Sequence, residues 1–309
     1  MGVGFLHGFL PQGISRDYIL RPTKVRILIT DETLFPKHLQ NQLENELRVK
    51  FEVTVTRDWN SILAKTVASP SQDILLLPSY WAVTLKQQNL LYKISNNESE
   101  LPQRIAPDFL DPETSKRSLY FFPFYWMKTG FKTTSGGSFE DFLKNKKDGT
   151  LFLLADEDLL LKHFRVWQDN GLLAAVQQKK ILTLPLDQLA SKEPREGAVE
   201  LPLNENNPTL TVQDDLSALL IWGASIPESS DKKDLALDIL TAFSTPSLQE
   251  GNLLKTPFNS TLLTVTDLSL PPQRRATHIR DLKLKGTLLI DAKNIEARKT
   301  LKEEFNLPL

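Results

Sequence analysis

The chain has 309 residues, of which 40% are hydrophobic and 24% charged, and its formal net charge is -1. This composition is that of an ordinary globular protein, and the near-neutral charge gives no reason to expect nucleic acid or an acidic membrane surface as the partner. The length exceeds the usual limit of a single core, which predicts two lobes or domains, and the absence of cysteine excludes disulfides and thiolate sites.

The first 24 residues form a weakly apolar N-terminal arm. They lack the basic region, continuous apolar core and small-residue cleavage site of a secretory signal. Three explanations stay open: a cytoplasmic protein, a mature form whose signal has been removed, or a divergent start. No run of the sequence approaches the roughly 20 apolar residues that span a bilayer.

Strands and helices alternate after the arm. The predicted elements are VRILIT (25–30) as a strand, PKHLQNQLENELRVK as a helix, FEVTVT (51–56) as a strand, DWNSILAKTVAS as a helix with Asp58 as N-cap, and DILLLP (73–78) as a strand. Strands that alternate with helices and are apolar on both faces belong to a parallel sheet covered on two sides.

A further predicted helix and a long polar connection (96–118) come next, and strands and helices alternate again after the connection. The predicted elements are SYWAVTLKQQNLLYKIS as a helix, the aromatic-rich strand YFFPFYW, a helix with Ser138 as N-cap and Asp141 at N3, LFLLA (151–155) as a strand, a helix closed by Gly171, an extended crossing within 209–227, the amphipathic helix DKKDLALDILTAFSTPSLQEG, and a C-terminal helix DAKNIEARKTLKEEFNLP.

Two α/β halves joined by two extended connections predict a hinged pair of lobes with the ligand in the cleft. The predicted organisation is an N-terminal arm (1–24), lobe 1 (25–118), lobe 2 (119–221), a return to lobe 1 (222–288), and a C-terminal helix on lobe 2 (289–309).

Five blocks of the sequence, in this order and spacing, resemble the periplasmic spermidine/putrescine-binding proteins and, more broadly, the extracellular solute-binding proteins of ABC transporters. The blocks are ILITDETLFPKHLQNQLENELRVKFEVT, DILLLPSYWAVTLKQQNLLYKIS, LYFFPFYWMKTGF, SFEDFLKNKKDGTLFLLADED and IWGASIPESSDKKDLALDILTAFSTPSLQ. The resemblance covers about residues 25–285. It implies an α/β, two-lobed type II periplasmic-binding-protein fold, in which each lobe is a mainly parallel sheet flanked by helices and two crossing segments form the hinge.

The same resemblance implies a function. We expect a monomeric, non-enzymatic solute-binding protein with no cofactor, located in the periplasm, which captures a small ligand and delivers it to ABC permease subunits. The sequence itself contains no nucleophile elbow, P-loop, zinc-protease motif or dinucleotide fingerprint. Its four histidines are scattered along the chain. The alternative that stays open is a transport-deficient homologue that acts as a ligand sensor or a protein-interaction module.

Carboxylates follow two of the predicted parallel strands. Asp31 and Glu32 come after VRILIT, and Asp156 and Glu157 come after LFLLA. Open α/β sheets bind ligands at the carboxyl ends of their strands, so these four residues are candidate ligand-binding residues. A solvated turn is the alternative role for the first pair. Helix capping is the alternative for the second pair, because a helix N-terminus favours anions.

The remaining candidates come from the resemblance. Ser79, Tyr80 and Trp81 match the ligand-contacting P-S-x-Y segment of the family, and four further positions belong to the two crossings: Tyr125, Trp126, Lys128 and Trp222. We expect the Trp81, Tyr125 and Asp31 side chains to face a common cleft. The alternative for the aromatic residues is core packing, and for Lys128 simple exposure to solvent.

The chain departs from the family at several ligand positions. The segment ITDETL lacks the aromatic residues that the family has after the first strand, and Leu220 and Trp222 stand where the family has a W-x-D motif, so its key aspartate is lost. Leu160 and Leu254 likewise replace polar or aromatic ligand contacts. The ligand is therefore either a polyamine-like cation or another small solute.

Overall fold

The computed structural model describes residues 22–68, 72–95, 98–106, 109, 118–133, 137–145, 149–185, 188–189, 197–202, 218–253, 255–256, 258–263 and 288–289. The strands are β1 (Thr23–Ile29), β2 (Val49–Val55), β3 (Ile74–Pro78), β4 (Ile94–Ser95), β5 (Ser118–Leu119), β6 (Phe122–Thr133), β7 (Thr150–Leu154), β8 (Lys180–Leu184), β9 (Gly197–Pro202), β10 (Ala218–Ser225), β11 (Asn259–Ser260) and β12 (Leu288–Leu289). The helices are α1 (Lys37–Leu47), α2 (Trp59–Val67), α3 (Ser79–Gln87), α4 (Leu101–Arg104), α5 (Phe139–Asn145), α6 (Glu157–Asp169), α7 (Leu173–Gln177), α8 (Lys233–Phe243) and α9 (Pro246–Leu253).

One continuous sheet runs through the described residues in the order β2-β1-β3-β10-β6-β9-β7-β8, with β11 beside β6 and β12 beside β10. Strands β1, β2 and β3 are parallel, and β10 runs antiparallel between β3 and β6. Beyond β6, strand β7 is parallel to both β8 and β9. The mainly parallel sheet that the alternation of strands and helices predicted is therefore confirmed.

Strand β6 joins two half-sheets. Its residues 122–128 pair with β10, and its residues 129–133 pair with β9. We call β1, β2, β3, β10, β11, β12 and residues 122–128 the first half-sheet, and residues 129–133, β7, β8 and β9 the second half-sheet. The pairing of β6 with β10 shifts register at Gly223, where an added Cβ would lie 2.2 Å from the Phe122 carbonyl oxygen. Only glycine permits the two strands to approach so closely there.

Buried apolar side chains cover both faces of the first half-sheet. Ile27 and Ile29 of β1 belong to a cluster with residues of α1 and α8, whereas Leu28 belongs to a separate cluster with residues of α2 and α3. This split follows from the alternation of side chains along a strand. A third cluster packs α5 and α6 against the second half-sheet.

Three predicted helix ends are confirmed. The Asp58 carboxylate accepts a hydrogen bond from Ser61 N at 2.7 Å, and the Ser138 hydroxyl accepts one from Asp141 N at 3.1 Å. Gly171, after α6, has φ of +68°. The capping signals were readable because each depends on neighbours within three residues.

Two predicted helices differ from the structure. The helix that begins at Ser79 ends at Gln87, because Asn89 adopts a left-handed conformation and turns the chain toward β4. The segment predicted as one amphipathic helix is α8 followed by α9, since Pro246 lacks the N–H that would continue the first helix. The N-terminal arm up to residue 21, most of the connection 96–118 and the C-terminal helix lie outside the described residues.

Candidate functional site

The carboxyl ends of β1, β2 and β3 lie side by side. Thr30 N donates to the Leu76 carbonyl at 3.2 Å, and Thr56 N donates to the Ile29 carbonyl at 3.0 Å, so the ladder continues to the last residue of each strand. Three chain segments leave the sheet here and carry polar side chains: 30–32, 56–58 and 79–81. This edge is where a doubly covered parallel sheet binds ligands.

Asp31 is part of this edge and already has partners. One carboxylate oxygen accepts hydrogen bonds from Thr33 N at 2.9 Å and from the Thr33 hydroxyl at 2.6 Å, which caps the single 3-10 turn Glu32–Leu34. The other oxygen accepts from Arg57 Nη2 at 3.2 Å, and the Asp31 and Arg57 side chains are 17% and 44% exposed. The Glu32 residue is exposed. The charge of Asp31 is thus balanced by Arg57.

Helix α3 begins at the same edge, directly after β3. Ser79 is half-buried there, whereas Tyr80 and Trp81 are buried under the sheet. The Trp81 ring lies 5.7 Å from the Trp59 ring of α2, centroid to centroid. Trp81 therefore fixes α3 against α2.

Tyr80 connects the two half-sheets. Its hydroxyl donates a hydrogen bond of 2.5 Å to Asp156 Oδ2, and Asp156 Oδ1 accepts from Leu159 N at 3.0 Å as the N-cap of α6. Because Tyr80 follows β3 and Asp156 follows β7, the carboxyl edges of the two half-sheets face each other. The backbone of Glu157 begins α6, and its side chain lies outside the described part of the chain.

Tyr125 lies in the crossing strand β6 and is buried. Its ring stacks on Phe258 with centroids 5.1 Å apart, and its oxygen accepts a hydrogen bond of 2.6 Å from Asn252 Nδ2. Burial raises the pKa of Tyr125 well above its ordinary value, although the hydrogen bonds from Asn252 and Gln249 oppose the rise. Tyr125 is therefore a neutral phenol at any physiological pH.

The other crossing residues are buried as well. Trp126 Nε1 donates to the Ser260 carbonyl at 2.9 Å, and the Trp222 ring lies 5.3 Å from the Phe258 ring. Lys128 pairs in register with Leu219, at the point where β6 passes from one half-sheet to the other. Lys128 is buried, so the alternative considered for it, a lysine exposed to solvent, is wrong.

Trp81, Tyr125 and Asp31 do not face a common cleft, and that prediction is wrong. Trp81 packs with Leu28 on one face of the first half-sheet, while Tyr125 packs with Phe243 on the opposite face. Asp31 lies at the carboxyl edge between these faces. Both faces of the sheet are apolar, so the sequence pattern could not indicate which face each ring covers.

Two residues at the edge were missed by sequence reasoning. Arg57 Nε donates to the Thr30 carbonyl at 3.3 Å, and the Thr30 hydroxyl is buried with no hydrogen-bond partner among the described residues. A usable signal existed for Arg57, because it follows the parallel strand β2 just as Asp31 follows β1. Thr30 carries no comparable signal, since threonine is common in strands.

A buried glutamate–histidine pair lies behind the second edge. Glu200 of β9 accepts a hydrogen bond from Leu154 N at 3.1 Å, and its other oxygen lies 2.9 Å from His163 Nε2 of α6. Burial raises the pKa of Glu200, but the charge and hydrogen bond of His163 and the Leu154 N–H bring it below its ordinary value. This pair fixes the end of β7 that carries Asp156.

Within the described residues, no group of three or more His, Asp or Glu side chains could hold a metal ion. None of the described helices is long and apolar enough to cross a bilayer.

No protein-family model matches this sequence, and no curated protein matches it. Solved structures are similar to the chain as a whole. A Listeria monocytogenes protein assigned as a spermidine/putrescine ABC transporter has a TM-score of 0.70 at 14% identity, covering 92% of this chain and 99% of its own. The spermidine/putrescine ABC transporter substrate-binding protein PotD of Streptococcus pneumoniae has a TM-score of 0.67 at 15% identity, covering 92% and 98%.

A third similar structure is the PBP MotA of A. tumefaciens B6 in complex with glucopine, with a TM-score of 0.68 at 14% identity, covering 92% of this chain and 100% of its own. These likenesses establish the two-lobed type II periplasmic-binding-protein fold, as the resemblance in sequence implied. At such low identities they establish the fold alone, and the ligand must be argued from the site.

Proposed function

We propose that this chain is a solute-binding protein of an ABC transporter, which captures a small solute between its lobes and delivers it to permease subunits. The observation that carries the proposal is the hydrogen bond from Tyr80 to Asp156, which joins residues 76 positions apart at the facing carboxyl edges of the two half-sheets.

Hinge closure follows from the same arrangement. The two half-sheets share the long strand β6, and a small change in the twist of its central residues moves one carboxyl edge relative to the other. A single hydrogen bond across the cleft is weak enough to break when the lobes open, because such bonds contribute only about 1 to 3 kcal/mol net.

The residues at the two edges form the proposed ligand site. These are Asp31, Glu32, Ser79, Tyr80, Asp156 and Glu157. The buried residues Trp81, Tyr125, Trp126, Lys128 and Trp222 fix the helix and strands that carry the site. The names of two structural neighbours favour a polyamine as the solute, while the glucopine complex shows that the fold accepts other solutes.

A periplasmic location and an ABC permease as partner belong to this proposal. They are supported by the structural neighbours, whose names describe ABC transporter proteins.

The test is a thermal-shift screen of the purified chain against polyamines, amino acids, sugars and small oxyanions. A ligand at 100 times its dissociation constant adds about 2.7 kcal/mol to the free energy of unfolding, which raises the melting temperature by several degrees. Small-angle scattering then measures whether the active compound reduces the radius of gyration, as lobe closure requires. The proposal fails if no compound of any class raises the melting temperature.

A further inference from the structure

The two carboxylates at the facing edges are poorly placed to receive a cationic ligand. Asp31 is neutralised by Arg57 and accepts two further hydrogen bonds from Thr33, while Asp156 accepts from the Tyr80 hydroxyl and from Leu159 N. An ammonium group would share Asp31 with the positively charged Arg57, and would share Asp156 with the Tyr80 hydroxyl. Asp31 and Asp156 thus already accept hydrogen bonds from groups of the protein.

The Thr30 hydroxyl is a hydrogen-bond donor at the first edge that none of the described residues uses. The Thr30 residue is 6% exposed, and its hydroxyl has no partner among the described residues. Thr30 N continues the strand ladder to Leu76, so the Thr30 side chain lies on the same face as Leu28, two residues before it. Helices α2 and α3 cover that face. The hydroxyl therefore lies on the face of β1 that α2 and α3 cover, at the edge where α3 begins.

The N-terminus of α3 adds donors of its own. The helix has nine residues, and its N-cap is Pro78, whose side chain accepts no hydrogen bond. The first N–H groups of any α-helix have no partner within the helix, and they carry the positive end of the helix dipole. Ser79, the first helical residue, contributes a hydroxyl and is only half-buried.

Arg57, which is paired with Asp31, places a guanidinium group at this position. Its Nε bonds to the Thr30 carbonyl, which holds the guanidinium beside the Thr30 hydroxyl, and its side chain is 44% exposed. An arginine fork binds carboxylate and phosphate groups through two parallel hydrogen bonds.

We propose that the first edge binds an oxyanion group of the solute, a carboxylate, phosphate or sulfate, between Arg57, the Thr30 hydroxyl and the N-terminus of α3. This inference rests on the proposed function and names the class of its solute. It differs from a polyamine site in the sign of the charge that the ligand carries.

The test is isothermal titration calorimetry of the full chain in a buffer free of other oxyanions. The ligands are succinate, glutamate, phosphate, sulfate, putrescine and spermidine. We expect at least one of the oxyanions to bind. Binding of succinate or glutamate alone assigns an organic carboxylate, and binding of phosphate or sulfate alone assigns an inorganic ion.

Asp31→Asn distinguishes the two charge classes by the sign of its effect. Asparagine can still cap the 3-10 turn, but it removes a negative charge and releases Arg57. We expect oxyanion affinity to rise severalfold, whereas a polyamine site would lose affinity.

Thr30→Val removes the hydroxyl and keeps the shape of the side chain. We expect the dissociation constant of the oxyanion to rise about tenfold, the usual effect of losing one hydrogen bond to a charged group. The melting temperature without ligand should not fall, because the hydroxyl has no partner to lose. Thr54→Val on the neighbouring strand β2 is the matched control and should leave affinity unchanged.

Two outcomes overturn the inference in different ways. If putrescine or spermidine binds and no oxyanion does, the inference fails and the solute-binding function stands. If no compound of any class binds, both fail together.

Discussion

The two ends of β3 use aspartate in opposite ways. Asp73, just before β3, is fully buried and accepts hydrogen bonds from Arg26 N at 2.7 Å, Arg26 Nη2 at 3.1 Å and Lys232 Nζ at 3.3 Å. Asp156, which faces the other end of β3, accepts from its own helix and from Tyr80 of the opposite lobe. One end is closed by a buried charge network, and the other by the hydrogen bond between Tyr80 and Asp156.

Asp73 therefore contributes to the stability of the fold, whereas Asp156 belongs to the proposed ligand site. Burial raises the pKa of Asp73, but the hydrogen bonds from Arg26 and the charge of Lys232 hold it below its ordinary value, so the carboxylate is ionised and fully paired. Its partners lie on β1 and just before α8, which belong to the same half of the molecule. At the carboxyl edge the partners belong to different halves, so they separate when the lobes open. Four substitutions measure this contrast.

Asp73→Ala should have the largest effect. It leaves Arg26 and Lys232 without their buried partner, and breaking a buried ion pair costs about 3 to 5 kcal/mol of unfolding free energy. Urea denaturation measures this cost. Asp238→Ala, at an exposed position on α8, is the control, and equal costs for the two variants would contradict the assignment.

Glu200→Gln should cost about 1 to 3 kcal/mol at pH 7, because it weakens the buried pair with His163. The folded-state pKa of Glu200 lies below its ordinary value of 4.5, so its contribution is present above pH 4.5 and is lost as the pH falls through the folded value. Urea titrations from pH 7 to pH 3 should therefore show the variant and the parent converging in acid. A constant difference at all pH values would contradict an ionised Glu200 in the folded protein.

Tyr80→Phe should cost only about 1 kcal/mol, the net value of one hydrogen bond, but it should open the molecule. Small-angle scattering without ligand should give a larger radius of gyration than the parent chain. The matched control is Tyr92→Phe, which removes a tyrosine bond of 2.6 Å to Glu98 close by in the sequence. A Tyr80 variant as compact as this control would show that the bond does not hold the lobes together.

Arg57→Gln should change the unfolding free energy by less than about 1 kcal/mol, because its ion pair with Asp31 is partly exposed and screened by solvent. The small effect should shrink further in 1 M salt, as chemical denaturation at low and high ionic strength can verify. A cost comparable with that of Asp73→Ala would mean that this edge is a stability element.

The secondary-structure elements could be predicted from local patterns in the sequence. Periodicity located strands and helices within a few residues, and Asp58, Ser138 and Gly171 marked their ends, because each signal depends on near neighbours. The two-lobed fold required the order and spacing of whole segments, which the resemblance supplied. The helix breaks at Asn89 and Pro246 also have local signals, an asparagine in the left-handed region and a proline without an N–H.

The site was only half predictable. The rule that ligands bind at the carboxyl ends of parallel strands placed Asp31 and Asp156 at the two edges, the resemblance supplied Tyr80, and the structure joins Tyr80 to Asp156 by a hydrogen bond. Neither the rule nor the resemblance placed Tyr125 and Trp81 correctly. In a strand buried on both sides the apolar pattern is the same for either face, so only packing against α3 or α8 decides the face.

The sequence by itself determined the elements, their order and the residue types at each strand end, since these depend on chemistry within a few positions. Tertiary structure alone decided that Arg57 neutralises Asp31, that the buried Thr30 hydroxyl has no partner in the described part of the chain, and that Tyr80 reaches Asp156. Those contacts join residues 26 and 76 positions apart, and their distances are fixed by the twist of the sheet and the hinge rather than by local pattern.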